Sequence, residues 1–248
     1  MPTIAVLITT FLRDSLLYKC LQSIVDNTTQ NIKVLVADQG YNDDEKNITI
    51  DYYKSQLDLE YFKLPFDSGL SYGRNFLVQK ANDLNIPYCL VIADSIHFNQ
   101  SYDFSPFIEF LESDNSYGLI GYELLNSKCP WEFLLKIENQ TLSYLPANEC
   151  IIHNQIQYKK VDICRNVFLA KTEAILNLWD NEMKLSEHTL AFIELQKRNY
   201  KCFWTDSISF QRNSPRPSKE YESYRKRTQQ YRKLAMLKMD ITKKVMSK

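Results

Sequence analysis

Residues 88–98 read YCLVIADSIHF, a greasy run that stops at a lone acid, Asp94. A continuous apolar stretch of this length, rich in β-formers, reads as a strand covered on both faces. Its sharp end in a carboxylate places that acid where a covered strand leaves its sheet. The same pattern occurs twice upstream. TIAVLITT (residues 3–10) ends in Thr9 and Thr10, and IKVLVAD (residues 32–38) ends in Asp38 before the turn-like QGYNDD. Between these runs lie helical spacings: Leu16, Leu17, Cys20, Leu21 and Ile24 behind a candidate cap at Asp14 or Ser15, a polar helix over about 43–56, and Leu77, Ala81 and Leu84 after the Gly-marked SGLSYG. With a short strand at EYFKL, the alternation predicts an α/β chain built on a mainly parallel, Rossmann-like sheet flanked by helices. In such sheets ligands sit at the carboxyl ends of strands. Thr9, Thr10, Asp38 and Asp94 are therefore expected to converge on one crevice.

The second half is less regular. FSPFIEFLES reads as a helix, YGLIGYELL as a strand, and VDICRNVFLAKTEAI as a strand running into a helix. Residues 128–163 hold short β-like pieces. SEHTLAFIELQKRN reads as a helix capped by Ser186, followed by the strand YKCFWT. After NSPRPS, a helix capped by Ser218 carries Tyr221, Tyr224, Thr228, Tyr231 and Ala235 at spacings of three and four.

Bulk properties narrow the class. Hydrophobic residues make up 44% of the 248, enough for a sizeable core. No apolar run approaches the ~20 residues that span a bilayer, and the N-terminus lacks the basic start of a signal peptide. Six scattered cysteines without a Cys-x-x-Cys pair argue against a zinc site or a disulfide scaffold and point to a reducing cytoplasm. Net charge is zero, but residues 212–248 hold twelve Lys/Arg against three Asp/Glu, while the rest holds eighteen against twenty-seven. A basic extension on an acidic body implies either an anionic partner or a helix docked on an acidic face of its own chain.

Five segments carry a resemblance: VLITTFLRDSLLYKCLQSI, VLVADQGYNDD, SGLSYGRNFLVQKA, YCLVIADSIHF and RNVFLAKTEAILNLWDNEMKLSEHTLAFIEL. In order and spacing they resemble the family-2-type glycosyltransferases, and the third is very like its counterpart in β-1,4-N-acetylgalactosaminyltransferases. The resemblance covers residues 3–211. It implies a GT-A fold over 1–211, with a nucleotide-sugar half (1–98) and an acceptor half (99–211), followed by the basic helical extension 212–248. It implies sugar transfer from a nucleotide sugar, with a UDP-sugar favoured, onto an acceptor hydroxyl with inversion. By the same likeness Glu187 is the first candidate for the base and His188 the second. Thr9, Thr10, Phe11, Arg13, Asp38, Gly69, Arg74, Asp94 and Asn166 become donor-binding candidates. Arg165, Trp179, Arg212 and Arg216 become candidates for phosphate or acceptor contacts, although Trp179 also reads as a core aromatic.

Departures from the family pattern bear on the metal. Relatives carry an Asp-Xaa-Asp motif where this chain reads Ala93-Asp94-Ser95, and Gln211 stands where many have a late metal-binding His. Two readings follow: Mg²⁺ or Mn²⁺ held weakly by Asp94 and the donor phosphates, with His97 a candidate second ligand, or cations such as Arg74, Arg212 and Arg216 in its place. For the acceptor, a glycan is the leading expectation. A hydroxymethylated base in viral DNA, with the basic extension gripping the duplex, is the alternative. A catalytically dead GT-A binding protein is the third reading.

Overall fold

The computed structural model describes residues 3–28, 31–126, 132–213 and 215–246; Cys129 and Ser214 lie outside them. In chain order the elements are β1 (Ile4–Thr10), α1 (Asp14–Asn27), β2 (Ile32–Asp38), α2 (Asp44–Gln56), β3 (Leu59–Lys63), α3 (Leu70–Asp83), β4 (Tyr88–Ala93), β5 (Ile96–His97), α4 (Ser105–Glu112), β6 (Tyr117–Leu125), β7 (Phe133–Glu138), β8 (Thr141–Pro146), β9 (Cys150–His153), β10 (Ile156–Val161), β11 (Phe168–Lys171), α5 (Thr172–Ile175), α6 (His188–Lys197), β12 (Lys201–Arg212), α7 (Lys219–Arg225), α8 (Thr228–Lys238) and β13 (Lys243–Met246).

The main sheet runs β3-β2-β1-β4-β11-β6-β12-β10-β9, with β5 added to the end of β12. Strands β3, β2, β1 and β4 are parallel. Beyond β4 the pairing is mixed: β11 is antiparallel to both neighbours, and β6 and β12 are parallel. Every residue of β1 is buried because the sheet is covered on both sides. Side chains alternate across it as strand geometry requires. Val6 and Ile8 pack with Leu17, Leu21 and Ile24 of α1, whereas Ala5 and Leu7 pack with Leu77, Val78 and Ala81 of α3. Burying one such Leu or Ile contributes roughly 1.5–3 kcal/mol, so the two layers fix the register of β1 firmly.

That register sets the site. Thr10 lies opposite Asp38, and Thr9 opposite Ala93. Strand order reverses at β1, with β2 and β3 built to one side and β4 to the other. The crevice between β1 and β4 is thus the topological switch point, the place where open α/β sheets bind ligands.

Three local expectations need correcting. Ser186 does not cap α6: it sits at φ 60°, and Glu187 takes the N-cap position with no side-chain cap bond. Asp14 and Ser15 do not cap α1: Arg13 stands at its N-cap, and Asp14 is already helical. Ser218 does cap, accepting from the Tyr221 amide at 3.1 Å, but the helix it opens breaks at Lys226–Arg227 into α7 and α8.

The basic extension is folded back on the body. Ala235, Met239 and Ile241 join the core. β13 pairs in parallel with β8 in a second sheet, β13-β8-β7. Arg227 makes two hydrogen bonds to Asp67, and Lys238 reaches Asp180 and Glu182. Docking on the chain's own acidic face therefore accounts for these two bases. Arg225, Lys226, Arg232 and Lys233 remain exposed. No helix among the described residues is long and apolar enough to cross a membrane.

Candidate active site

Of the four strand-end residues, Thr10 and Asp94 meet directly. Asp94 is fully buried just past β4, and Thr10 Oγ1 donates to its Oδ2 at 2.8 Å across the β1–β4 crevice. Arg13 completes the grip, with Nε on Oδ2 at 3.0 Å and Nη2 on Oδ1. The chain can aim Arg13 there because Leu12 turns it sharply through φ 54° between β1 and α1. The Ser95 amide also donates to the carboxylate. Burial pushes the Asp94 carboxyl above the ordinary range, and Arg13 and Thr10 work against that push.

A second charged pair stands at the start of α3. Arg74 and Glu187 form a buried ion pair through Nη1 and Oε1. The Arg74 guanidinium lies 5.5 Å from the Trp179 ring centroid, and its Nε is buried without a hydrogen-bond partner. Trp179 is itself a core residue, 4% exposed. Asn75 clamps the same loop, donating to the Trp179 carbonyl and to Asn181 Oδ1 at 2.9 Å and accepting from the Trp179 amide at 3.1 Å. α3 lies against the crevice: a Cβ on Gly73 would meet Gln39 Nε2 at 2.7 Å and a Thr9 methyl at 3.1 Å. Gly69 opens α3 at φ 101°, and a Cβ there would fall 2.6 Å from the Lys184 Cα, so only glycine fits.

Two further candidates have structural partners. Asp38 is fully buried and accepts from the Gly40 amide at 2.7 Å, from Lys46 Nζ at 2.9 Å and from the Tyr61 hydroxyl. It braces the turn and α2, so a nucleobase would have to share an engaged carboxylate. His188 Nε2 is 2.6 Å from the Cys164 carbonyl, which can only accept, so Nε2 carries the proton. Burial drives the His188 pKa down to about 4, with Glu187 opposing and Arg74 assisting. With the proton on Nε2, the basic lone pair lies on Nδ1, and burial makes its protonation costly; Glu187 stays the first base candidate and His188 the second.

Phe11 faces aromatic company: Phe66 of the loop before α3 at 5.3 Å and, from the extension, Tyr224 at 5.0 Å and Tyr221 at 6.5 Å between centroids. Tyr41 stacks on Phe66 at 4.8 Å and donates to Glu220 at 3.0 Å. Tyr221 also covers the Arg13 guanidinium at 4.9 Å. Asn166 Oδ1 is buried with no hydrogen-bond partner, an acceptor left unspent. Arg165 beside it is half-buried. Arg212 and Arg216 are exposed, Arg212 at the end of β12 opposite Ile96.

The sequence reading missed Gln39, Asp67 and the two tyrosines as parts of this crevice. Gln39 Oε1 accepts from the Gly69 amide at 2.6 Å and so ties the β2 turn to α3. Its signal was its place in the turn directly after Asp38. The tyrosines were visible only as one helical stripe.

The metal expectation does not fit these residues. A carboxylate offers about four lone-pair sites, and Asp94 already receives Thr10, Ser95 and two Arg13 N–H groups. His97 sits on β5 paired in register with Gln211, and its Nε2 is buried without a partner. One orphaned imidazole nitrogen does not make a site, and no cluster of three metal-ligating side chains occurs among the described residues.

With this geometry in place, the chain can be set beside known proteins. Solved structures share the fold at low identity. S. aureus TarS 1-349 in complex with UDP-GlcNAc has TM-score 0.61 at 13% identity, covering 95% of this chain and 65% of that one. The mannosyltransferase PcManGT from Pyrobaculum calidifontis, in complex with GDP-Man and Mn²⁺, gives 0.64 at 12%, covering 96% and 64%. GalNAc-T7 with UDP, GalNAc and Mn²⁺ gives 0.63 at 12%, covering 86% and 44%. The chain thus spans less than two thirds of the length of each. No curated protein matches it. The model of glycosyl transferase family 2 matches residues 5–160, well over half of the chain, with the β1–β4 crevice inside the match; the chain belongs to glycosyl transferase family 2.

Proposed function

We propose that the chain transfers a sugar from a nucleotide sugar, a UDP-sugar first, to an acceptor hydroxyl with inversion at the anomeric carbon. The observation that carries this reading is the pairing of two buried charged sites in a family-2 fold: Arg13–Asp94 at the switch point and Arg74–Glu187 beside it. A leaving diphosphate needs cationic donors as its charge develops, and a weakly nucleophilic hydroxyl needs a base. Glu187 supplies the base. Its Oε1 is held by Arg74, so Oε2 takes the acceptor proton while the acceptor oxygen bonds to the anomeric carbon. The bond from that carbon to the diphosphate breaks, and the nucleoside diphosphate leaves with the electron pair.

TarS and GalNAc-T7 were solved with UDP or a UDP-sugar and PcManGT with GDP-Man, which sets the panel of donors to try. The test is donor hydrolysis and ligand-induced melting shift across UDP- and GDP-sugars. A shift and slow hydrolysis with one of them supports the reading; neither effect with any donor sinks it. A saccharide is the proposed acceptor. The exposed Arg225, Lys226, Arg232 and Lys233 favour an acceptor or support surface that is anionic. Duplex DNA titrated against salt separates the nucleic-acid reading, because phosphate contacts predict a steep loss of affinity as salt rises.

A further inference from the structure

The buried carboxylate at the switch point is bound by a guanidinium. Asp94 is flanked by Ala93 and Ser95, and four donors from Thr10, Ser95 and Arg13 use up its lone pairs. Arg13 is not used up in return. Its side chain is 26% exposed while Asp94 is fully enclosed, and Nη1 is not among the groups that hold Asp94. The guanidinium is planar and matches a phosphate with parallel N–H groups. Its orientation is fixed from both sides, by the carboxylate and by the Tyr221 ring.

We propose that Arg13 does in this chain the work of a divalent cation: held by Asp94, its guanidinium receives the diphosphate of the donor, and transfer runs without a metal ion. The inference rests on the nucleotide-sugar reading and goes beyond it by naming the electrophile. When the bond between the anomeric carbon and the diphosphate breaks, the new negative charge on the leaving oxygen is met by Arg13 N–H groups, and the acceptor proton goes to Glu187. The Arg13–Asp94 pair is neutral as a unit, so a further cation is needed; Arg74 is paired with Glu187 at rest, and its charge is released as Glu187 takes the acceptor proton, with its buried Nε still a free donor. Asp94 becomes a positioning residue that acts through Arg13.

The test uses the full chain and UDP as the probe. Affinity is measured by calorimetry in EDTA and in Mn²⁺, and protein-bound Mn²⁺ is followed by the loss of the free-ion electron paramagnetic resonance signal. Arg13→Met alone would leave Asp94 buried and unpaired, so the variant of choice is Arg13→Met with Asp94→Asn, checked for folding by circular dichroism. Arg13→Lys keeps the charge and loses the planar fork. Expected are equal UDP affinities in EDTA and Mn²⁺, no protein-bound Mn²⁺, a loss of about tenfold or more in the double variant, and partial recovery in Arg13→Lys. UDP binding that requires Mn²⁺, with bound Mn²⁺ lost on Asp94→Asn, overturns the inference and leaves the transferase reading standing. Metal-free UDP binding that the folded double variant retains overturns the role of Arg13. Absence of nucleotide binding in both conditions overturns the inference together with the reading it rests on.

Discussion

Replacing Glu187 by Gln separates the structural role of the Arg74–Glu187 pair from its chemical one. The side chains are 6% and 4% exposed, so solvent screens the pair very little. Removing one partner of such a pair leaves an uncompensated buried charge, with a penalty of roughly 3–5 kcal/mol. Gln keeps the shape and can still accept from Arg74, which puts the expected loss at the lower end, about 3 kcal/mol. That is a large share of the roughly 5–15 kcal/mol by which a domain is stable. Arg74→Met in the Glu187→Gln background removes the stranded cation and restores most of the loss, giving a coupling energy of about 2–3 kcal/mol. Urea unfolding of the four proteins in the cycle measures this. Turnover, measured well below each midpoint, reads the chemical role, because loss of the base lowers the rate about 10²–10⁴-fold. Additive stabilities in the cycle would refute the claim that the two charges support each other. A folded Glu187→Gln protein that turns over at the parent rate would remove Glu187 as the base.

Other perturbations probe the surroundings of the site. His188 has a folded pKa of about 4 against an ordinary 6.5, so the unfolded chain binds a proton across that window that the folded chain refuses. Its stabilisation is complete above pH 6.5 and is lost as pH falls through 4, roughly 3 kcal/mol in all. His188→Gln, which keeps a donor for the Cys164 carbonyl, flattens the stability profile between those limits, and an unchanged slope in urea titrations counts against it. Gly69→Ala forces a left-handed residue against the Lys184 backbone and costs about 1–3 kcal/mol in chemical denaturation; a neutral result would mean the 184 loop moves freely. Burial raises the Asp67 carboxyl, but the hydrogen bonds from Arg227 and Lys184 outweigh it and leave it below the usual range. This latch holds above the ordinary Asp range and opens as pH drops below it. Asp67→Asn speeds hydrogen exchange over 219–225 at neutral pH while lowering stability by under about 1 kcal/mol, since the latch is partly exposed; an unchanged exchange rate would show that Asp67 does not hold α7.

The parallel half of the fold was legible because its strands are covered on both faces. Runs such as TIAVLITT and YCLVIAD have no other comfortable state, and their carboxyl ends fell together as the register demanded. What the sequence could not show is which partner each polar end would find. Asp38 reads as a free turn acid, yet Lys46, eight residues on, and Tyr61 on the neighbouring strand consume it. Ser186 reads as a helix cap because local propensity favours Ser there. The cap position went to Glu187, whose side chain pairs across the crevice with Arg74, a partner 113 residues away in sequence. The extension reads as one tail helix because its tyrosine stripe is continuous. Its break at Lys226–Arg227 accompanies the turn of Arg227 toward Asp67, and β13 was unreadable in a short, half-exposed, lysine-rich segment.

The same contacts bear on how a donor reaches the crevice. Thr9, Thr10, Arg74, Asp94 and Glu187 are each no more than 5% exposed, so the groups a donor would meet are closed off from water. On the side of Phe11 and Arg13, α7 provides cover with Tyr221 and Tyr224, and the Arg227–Asp67 latch holds it down. Yet α7 has no buried residue of its own, whereas the following α8 anchors Ala235 in the core. Before α7 runs a segment with Pro215 and Pro217, and after it comes the break at Lys226–Arg227. Elements with few buried contacts open at free energies far below global unfolding. The cover over the crevice is therefore the part of the extension that separates most cheaply, and it can do so while α8 and β13 stay docked. Under the nucleotide-sugar proposal, the aromatic rings at the mouth would offer π-faces to a nucleobase, and a shift of α7 that admitted it would also lift Tyr221 from Arg13.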